Sequence, residues 1–192
     1  MNVIAVVGSA SGSGKTRLAC AILKAIPGLG AVKISPREGP PRVEWGAGAA
    51  GKDTACFAAS GASAVARIVA PRERAAEEWA GIRGNLEHLR GVVVEGASAL
   101  VIPAERFTVL VVTPESLGER PARDERLGAA ADFIVVVQRG GASSPGSDDI
   151  AGRLGKSVPV ASVSHENENW EVDELLKAVR GFLLGTDEAD RK

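Results

Sequence analysis

Nine residues near the amino terminus, Gly8-Ser9-Ala10-Ser11-Gly12-Ser13-Gly14-Lys15-Thr16, carry the strongest chemical signal in the chain. They follow the apolar run Asn2-Val3-Ile4-Ala5-Val6-Val7 and lead into a stretch whose apolar positions Leu18, Ile22 and Ile26 share one helical face. A glycine-rich turn between strand and helix points peptide N–H groups inward, and the helix dipole adds positive potential at the same place. Such a turn holds phosphate. In the pattern GxxxxGK[ST] the lysine, here Lys15, reaches the terminal phosphates, and the hydroxyl, here Thr16, ligates a magnesium ion bridging them. Ser9 takes the place of the leading glycine and Gly8 lies one residue earlier, so the loop is one residue longer than its simplest form. A Gly/Ser turn that binds nothing is the bland alternative, and the succession of strand, loop, Gly-Lys-Thr and helix speaks against it.

Three further charged residues fall where they would serve that loop. Lys33 ends an otherwise apolar strand, where an ammonium is costly to bury unless it meets an anion, which favours a phosphate-facing role. Glu95 follows Val92-Val93-Val94 and would end a central strand beside the loop, a position from which an acid holds magnesium or its water. Asp53 opens a short helix, so its ordinary role is a first-turn acid complementing the helix dipole. Arg37, in a Pro/Gly loop, reads as solvated, and His88 and His165 read as surface histidines. Strand ends at Gln138-Arg139 and Ser164-His165 lie where a base would be approached, but the chain has no Asn-Lys-x-Asp guanine motif. No arginine or glutamine near the loop in sequence is placed to assist hydrolysis.

The elements that must position these residues alternate along the chain. Strands are expected at 2–7, 30–35, 64–69, 92–94, 107–112, 133–137 and 158–163. Helices are expected at 15–26, at 53–60, along the stripe Ala75, Trp79, Ile82, Leu86 and Leu89, and at 169–184 with the stripe Val172, Leu175, Leu176, Val179 and Leu183. This order predicts an α/β fold, one domain over 1–185 with a doubly wound, mostly parallel sheet flanked by helices, and a charged tail at 186–192. Residues 36–52, with four Gly and three Pro, read as a long loop, and 140–149 as a mobile one.

Composition narrows the partners. The chain of 192 residues is 45% hydrophobic and carries 23 basic and 24 acidic side chains, a net charge of -1 that predicts neither a nucleic-acid nor a membrane partner. Tyr is absent, with only three Trp and four Phe, which argues against a base-stacking platform. Cys20 and Cys56 lack metal-ligand spacing and read as reduced core residues of a cytoplasmic protein. Neither a secretory leader nor an apolar run of eighteen residues is present.

The extended loop spelling, with Lys33 at the end of strand two, resembles that of dethiobiotin synthetases and cobyrinic acid amide synthases, which are P-loop NTPases. A second resemblance is to the molybdopterin-guanine dinucleotide biosynthesis adaptor family. It rests on Gly51-Lys52-Asp53-Thr54, Gly61-Ala62 and Val94-Glu95-Gly96, within residues 3–96; the histidine usual there after the strand-two lysine is Ile34. That resemblance implies Mg2+ with GTP rather than ATP, weak hydrolysis, a homodimer, and a molybdenum cofactor nucleotidyltransferase as partner. It implies catalytic or substrate contacts for Lys15, Lys33 and Asp53, and metal ligation by Thr16, Glu95 and Asp53. The synthetase resemblance implies instead an ATP-dependent ligase in which Lys33 contacts the acceptor. A non-catalytic, nucleotide-gated interaction module read through residues 36–52 is the third alternative.

Overall fold

The computed structural model describes residues 1–139, 150, 152–154, 157–167, 170 and 172–185. Eight strands are found among the described residues: β1 Val3–Gly8, β2 Leu29–Pro36, β3 Arg42–Trp45, β4 Val65–Ala70, β5 Gly91–Glu95, β6 Arg106–Val112, β7 Phe133–Gln138 and β8 Val160–Ser164. Among the described residues lie the α-helices α1 Lys15–Ala25, α2 Asp53–Ala59, α3 Ala75–Arg83, α4 Pro121–Ala130 and α5 Asp173–Leu184, and residues 150 and 152–153 are also helical. The strands form one sheet in the order β3-β4-β2-β5-β1-β6-β7-β8, with every neighbouring pair parallel except β3–β4. The α/β, mostly parallel architecture is the expected one.

The near-continuous apolar strands follow from burial on both faces. In β1, Val3, Ala5 and Val7 enter one core with Trp79, Ile82 and Leu127, while Ile4 and Val6 enter the other with Leu18, Ile22, Phe57 and Leu175. Helices α3 and α4 therefore cover one face and α1, α2 and α5 the other. From β1 the chain winds outward to β2 and β4, then returns to insert β5 between β2 and β1 before continuing through β6. The carboxyl ends of β2, β5 and β1 are thus side by side at the point where the winding reverses, where ligands sit in open sheets.

Several expectations need correction. The stretch 36–52 is not all loop: β3 pairs antiparallel with β4, from Arg42 opposite Val69 to Trp45 opposite Ala66. Four residues, of which only Val43 is partly buried against the core, are too few to show a period of two. Helix α4 went unforeseen because its buried positions are Asp124, Leu127 and Gly128, which present no apolar stripe. Helix α5 starts at Asp173 rather than 169, with Asp173 and Glu174 in its first turn where acids suit the dipole. Cys20 is only partly buried, since α1 turns Leu18, Ala19, Ile22 and Leu23 inward, and Cys56 is exposed, since α2 turns Thr54 and Phe57 inward. The expected mobile loop at 140–149 and the tail from 186 lie outside the described residues. No helix among the described residues is long and apolar enough to cross a membrane.

The turn after β5 depends on one glycine. Gly96 has φ 131° and ψ 154°, its N–H donates to the Val6 carbonyl at 3.1 Å, and a Cβ there would lie 2.5 Å from the Ile34 carbonyl oxygen. Both backbone strain and a backbone clash oppose any side chain. Gly96→Ala is expected to lower the unfolding free energy by about 3 kcal/mol, read as a reduced midpoint with unchanged slope in urea denaturation.

Candidate functional site

The loop after β1 ends at Gly14, whose φ of 94° sets the entry to α1 at Lys15. A Cβ on Gly14 would meet the Trp170 ring at 2.5 Å, so this position is restricted by packing as well as by conformation. Lys15 folds back over the loop, its Nζ donating to the Ala10 carbonyl at 2.6 Å and to Ser13 Oγ at 3.2 Å. Burial lowers its pKa from the ordinary 10.5, against the pull of Glu95, and the nearby Lys33 and Arg123 charges lower it further. An ammonium placed in this way is stabilised by an anion with several oxygens, such as a phosphate.

Parallel registry assembles the acidic side of the site. Glu95 is the register partner of Lys33 on β2 and of Val6 on β1. Its carboxylate is 1% exposed. Thr16 Oγ1, in the first turn of α1, lies 2.9 Å from Glu95 Oε2 and 3.1 Å from Asp53 Oδ1, so its single proton is shared between two carboxylates. Lys33 Nζ pairs with Glu95 Oε1 and lies 2.9 Å from Asp53 Oδ2. Asp53 reaches the cluster because it is the first residue of α2, the position at which a helix also accommodates an acid electrostatically. Burial acts to raise the Asp53 carboxyl, but the hydrogen bond and charge of Lys33, helped by the Thr16 hydroxyl, outweigh it and hold the group below 3.8.

The residues singled out in the sequence thus converge. Lys15, Thr16, Lys33, Asp53 and Glu95 line one cleft of about 390 Å3, with Ser11, Gly12 and Gly14 along its loop wall. That volume lies in the range of small-ligand sites. Ser9 and Ser13 are buried in the loop, and Ser9 Oγ is 2.5 Å from Ser116 Oγ after β6. Gly8 and Ala10 contribute carbonyl oxygens, to Arg123 and Lys15 respectively. Arg37 and His88 are exposed and do not line the cleft.

Sequence reasoning missed the opposite wall and the clamps on the loop. Trp170 stacks with the Arg17 guanidinium, 5.0 Å from ring centroid to Cζ, and its Nε1 donates to the Ser164 carbonyl at 3.0 Å. Arg17 also donates to the carbonyl of His165 at 2.7 Å, which makes His165 a lining residue rather than an ordinary surface one. Arg139 holds the Gly12 carbonyl at 2.5 Å and Arg123 holds that of Gly8 at 2.8 Å. These arginines lie 115 and more residues from their partners and carry no local pattern. The ends of β7 and β8 were the available signal, since Gln138 and Ser164 are register neighbours there.

A glycine-rich loop at a topological switch point, with a lysine, a threonine and an acid on the adjacent strand, is the layout of the P-loop fold. No protein-family model and no curated protein matches the sequence. Among solved structures, the chain is similar to the hydrogenase maturation factor HypB from Archaeoglobus fulgidus, at 15% identity and TM-score 0.57, over 94% of this chain and 90% of that one. It also aligns with HypB from Helicobacter pylori in complex with nickel, at 14% identity and TM-score 0.49, over 95% and 85% of the two chains. The first of these likenesses confirms the fold.

The cluster is held by one cation between two carboxylates, so its removal has a clear consequence. Lys33→Met is expected to destabilise the protein by about 3 kcal/mol. The pH dependence carries a second signature. The depressed Asp53 carboxyl stabilises the fold above its unfolded value near 3.8, and that contribution fades as pH falls through the lower folded value. Chemical denaturation at a series of pH values is expected to show a steeper loss of stability below pH 3.8 in the wild type than in Lys33→Met.

Proposed function

We propose that the chain binds a magnesium-nucleoside triphosphate, GTP in preference to ATP, hydrolyses it slowly, and acts through a nucleotidyltransferase of molybdenum cofactor biosynthesis. The observation that carries nucleotide binding is the Thr16 hydroxyl, 2.9 Å from Glu95 and 3.1 Å from Asp53 beside the phosphate loop. The donor set suits the metal: a hydroxyl and two carboxylates are hard oxygen ligands, too few to complete an octahedron without phosphate oxygens and water. Thr16, Glu95 and Asp53 would hold Mg2+, which when bound neutralises charge on the bridging phosphate oxygens.

The chain's own groups divide the remaining work. Loop amides from Ser9 to Thr16 cradle phosphate, and Lys15, already short of a full counter-charge, exchanges its loop partners for phosphate oxygens. Lys33 is positioned to move from the carboxylate pair toward the terminal phosphate once the metal supplies the compensating charge. Slow hydrolysis accords with Arg123 and Arg139, which are occupied in holding loop carbonyls. The choice of GTP and the pathway rest on the resemblance carried by Gly51-Lys52-Asp53-Thr54, Gly61-Ala62 and Val94-Glu95-Gly96.

A ligase reading requires ATP, which makes the base a discriminating measurement. With magnesium, GTP at a hundredfold excess over its Kd is expected to stabilise the protein by about 2.7 kcal/mol in a thermal shift, and ATP at the same concentration by less. Lys15→Ala is expected to abolish the shift. Retained binding in that variant counts against the site, whereas a larger shift with ATP leaves the site intact and overturns the adaptor reading.

A further inference from the structure

The cleft has two ends. Strands β2 and β5, which carry Lys33 and Glu95, lie on one side of β1, and β8 lies at the far edge of the sheet on the other. The metal and terminal phosphates of the proposed function belong to the first end, so the nucleoside points toward the second. There Arg17, His165 and Trp170 line the cleft.

Helix electrostatics alone do not account for Arg17. It stands in the first turn of α1, directly after Thr16 and with no acid in that turn, where the dipole disfavours a cation. Its guanidinium is held instead by two contacts from beyond β8: it lies over the Trp170 ring, 5.0 Å from the centroid, and it donates to the His165 carbonyl at 2.7 Å. The indole is fixed in turn, being buried, with Nε1 donating to the Ser164 carbonyl at 3.0 Å and its ring packed against Gly14. A flexible cation is thereby made an oriented flat surface. Its edge meets a carbonyl and one face meets the indole, which leaves the other face for a ring entering the cleft.

We infer that the base of the nucleotide stacks on Arg17, in a column of indole, guanidinium and base that makes Arg17 a base-binding residue and Trp170 its support. Guanidinium planes stack on base rings, and every base has a π face. The inference therefore rests on the nucleotide site proposed above but not on the choice of GTP. Loop amides, Lys15 and Lys33 already serve the phosphates, so that role does not call for Arg17.

Ribose 5-triphosphate, which has the sugar and phosphates of GTP and no base, is the comparison ligand. In titration calorimetry with magnesium, the wild-type protein is expected to bind GTP about tenfold more tightly than ribose 5-triphosphate, or better. Arg17→Lys keeps the charge but loses the plane. It is expected to weaken GTP and ATP alike, by about tenfold, and to leave ribose 5-triphosphate unchanged. Trp170→Leu removes the support and is expected to narrow the same ratio; Arg17→Lys decides the question if that variant does not fold. Equal binding of the two ligands by the wild type overturns the proposal. So does an unchanged ratio in Arg17→Lys, and a parallel loss of both ligands there assigns Arg17 to the phosphates or to the fold. Lys15→Ala is expected to lose both ligands, and their retention in that variant counts against the phosphate site itself, whatever the part of Arg17.

Discussion

Glu95 is 1% exposed at the end of a central strand, and a carboxylate in that position must be matched by charge and hydrogen bonds for the chain to fold around it. Lys33 supplies the charge and Thr16 the proton, and in the proposed function both also serve the triphosphate and its metal. In that reading the same groups stabilise the fold and prepare the site. Binding becomes an exchange of partners among charges already collected, rather than an assembly of charges from solvent.

That economy depends on the sheet. Insertion of β5 between β2 and β1 makes Glu95 the register neighbour of both Lys33 and Val6, and the turn at Gly96 lets the backbone pass close to Ile34. A register slip by one residue would turn Glu95 toward the opposite face, where the two apolar cores leave no room for it. Burial of alternating residues on both faces of β1 and β5 makes such a slip expensive. Core packing and site geometry are thus enforced by the same alternation.

The parts legible in the sequence were those with a local signature. Six buried residues in β1, a glycine-rich turn and a helical apolar face occupy one continuous stretch, and Lys33 and Glu95 stood out as charges at the ends of apolar runs. Strand β3 and helix α4 escaped notice because neither buries an apolar stripe of its own; each is specified by what it packs against. Trp170, Arg17, Arg123, Arg139 and Ser116 were invisible for a related reason. Their roles arise from contacts bridging distant parts of the chain, and an arginine meeting a loop carbonyl 115 residues away leaves no periodic trace.

In the proposed function Thr16, Glu95 and Asp53 share one metal ion with a nucleotide's phosphates. Mn2+ in place of magnesium makes this directly observable by electron-nuclear double resonance of the protein with GTP. Phosphorus hyperfine couplings from directly ligated phosphate are expected, lost together with tight manganese binding in Thr16→Val. Tight nucleotide binding without manganese, or bound manganese with no phosphorus coupling, would contradict it.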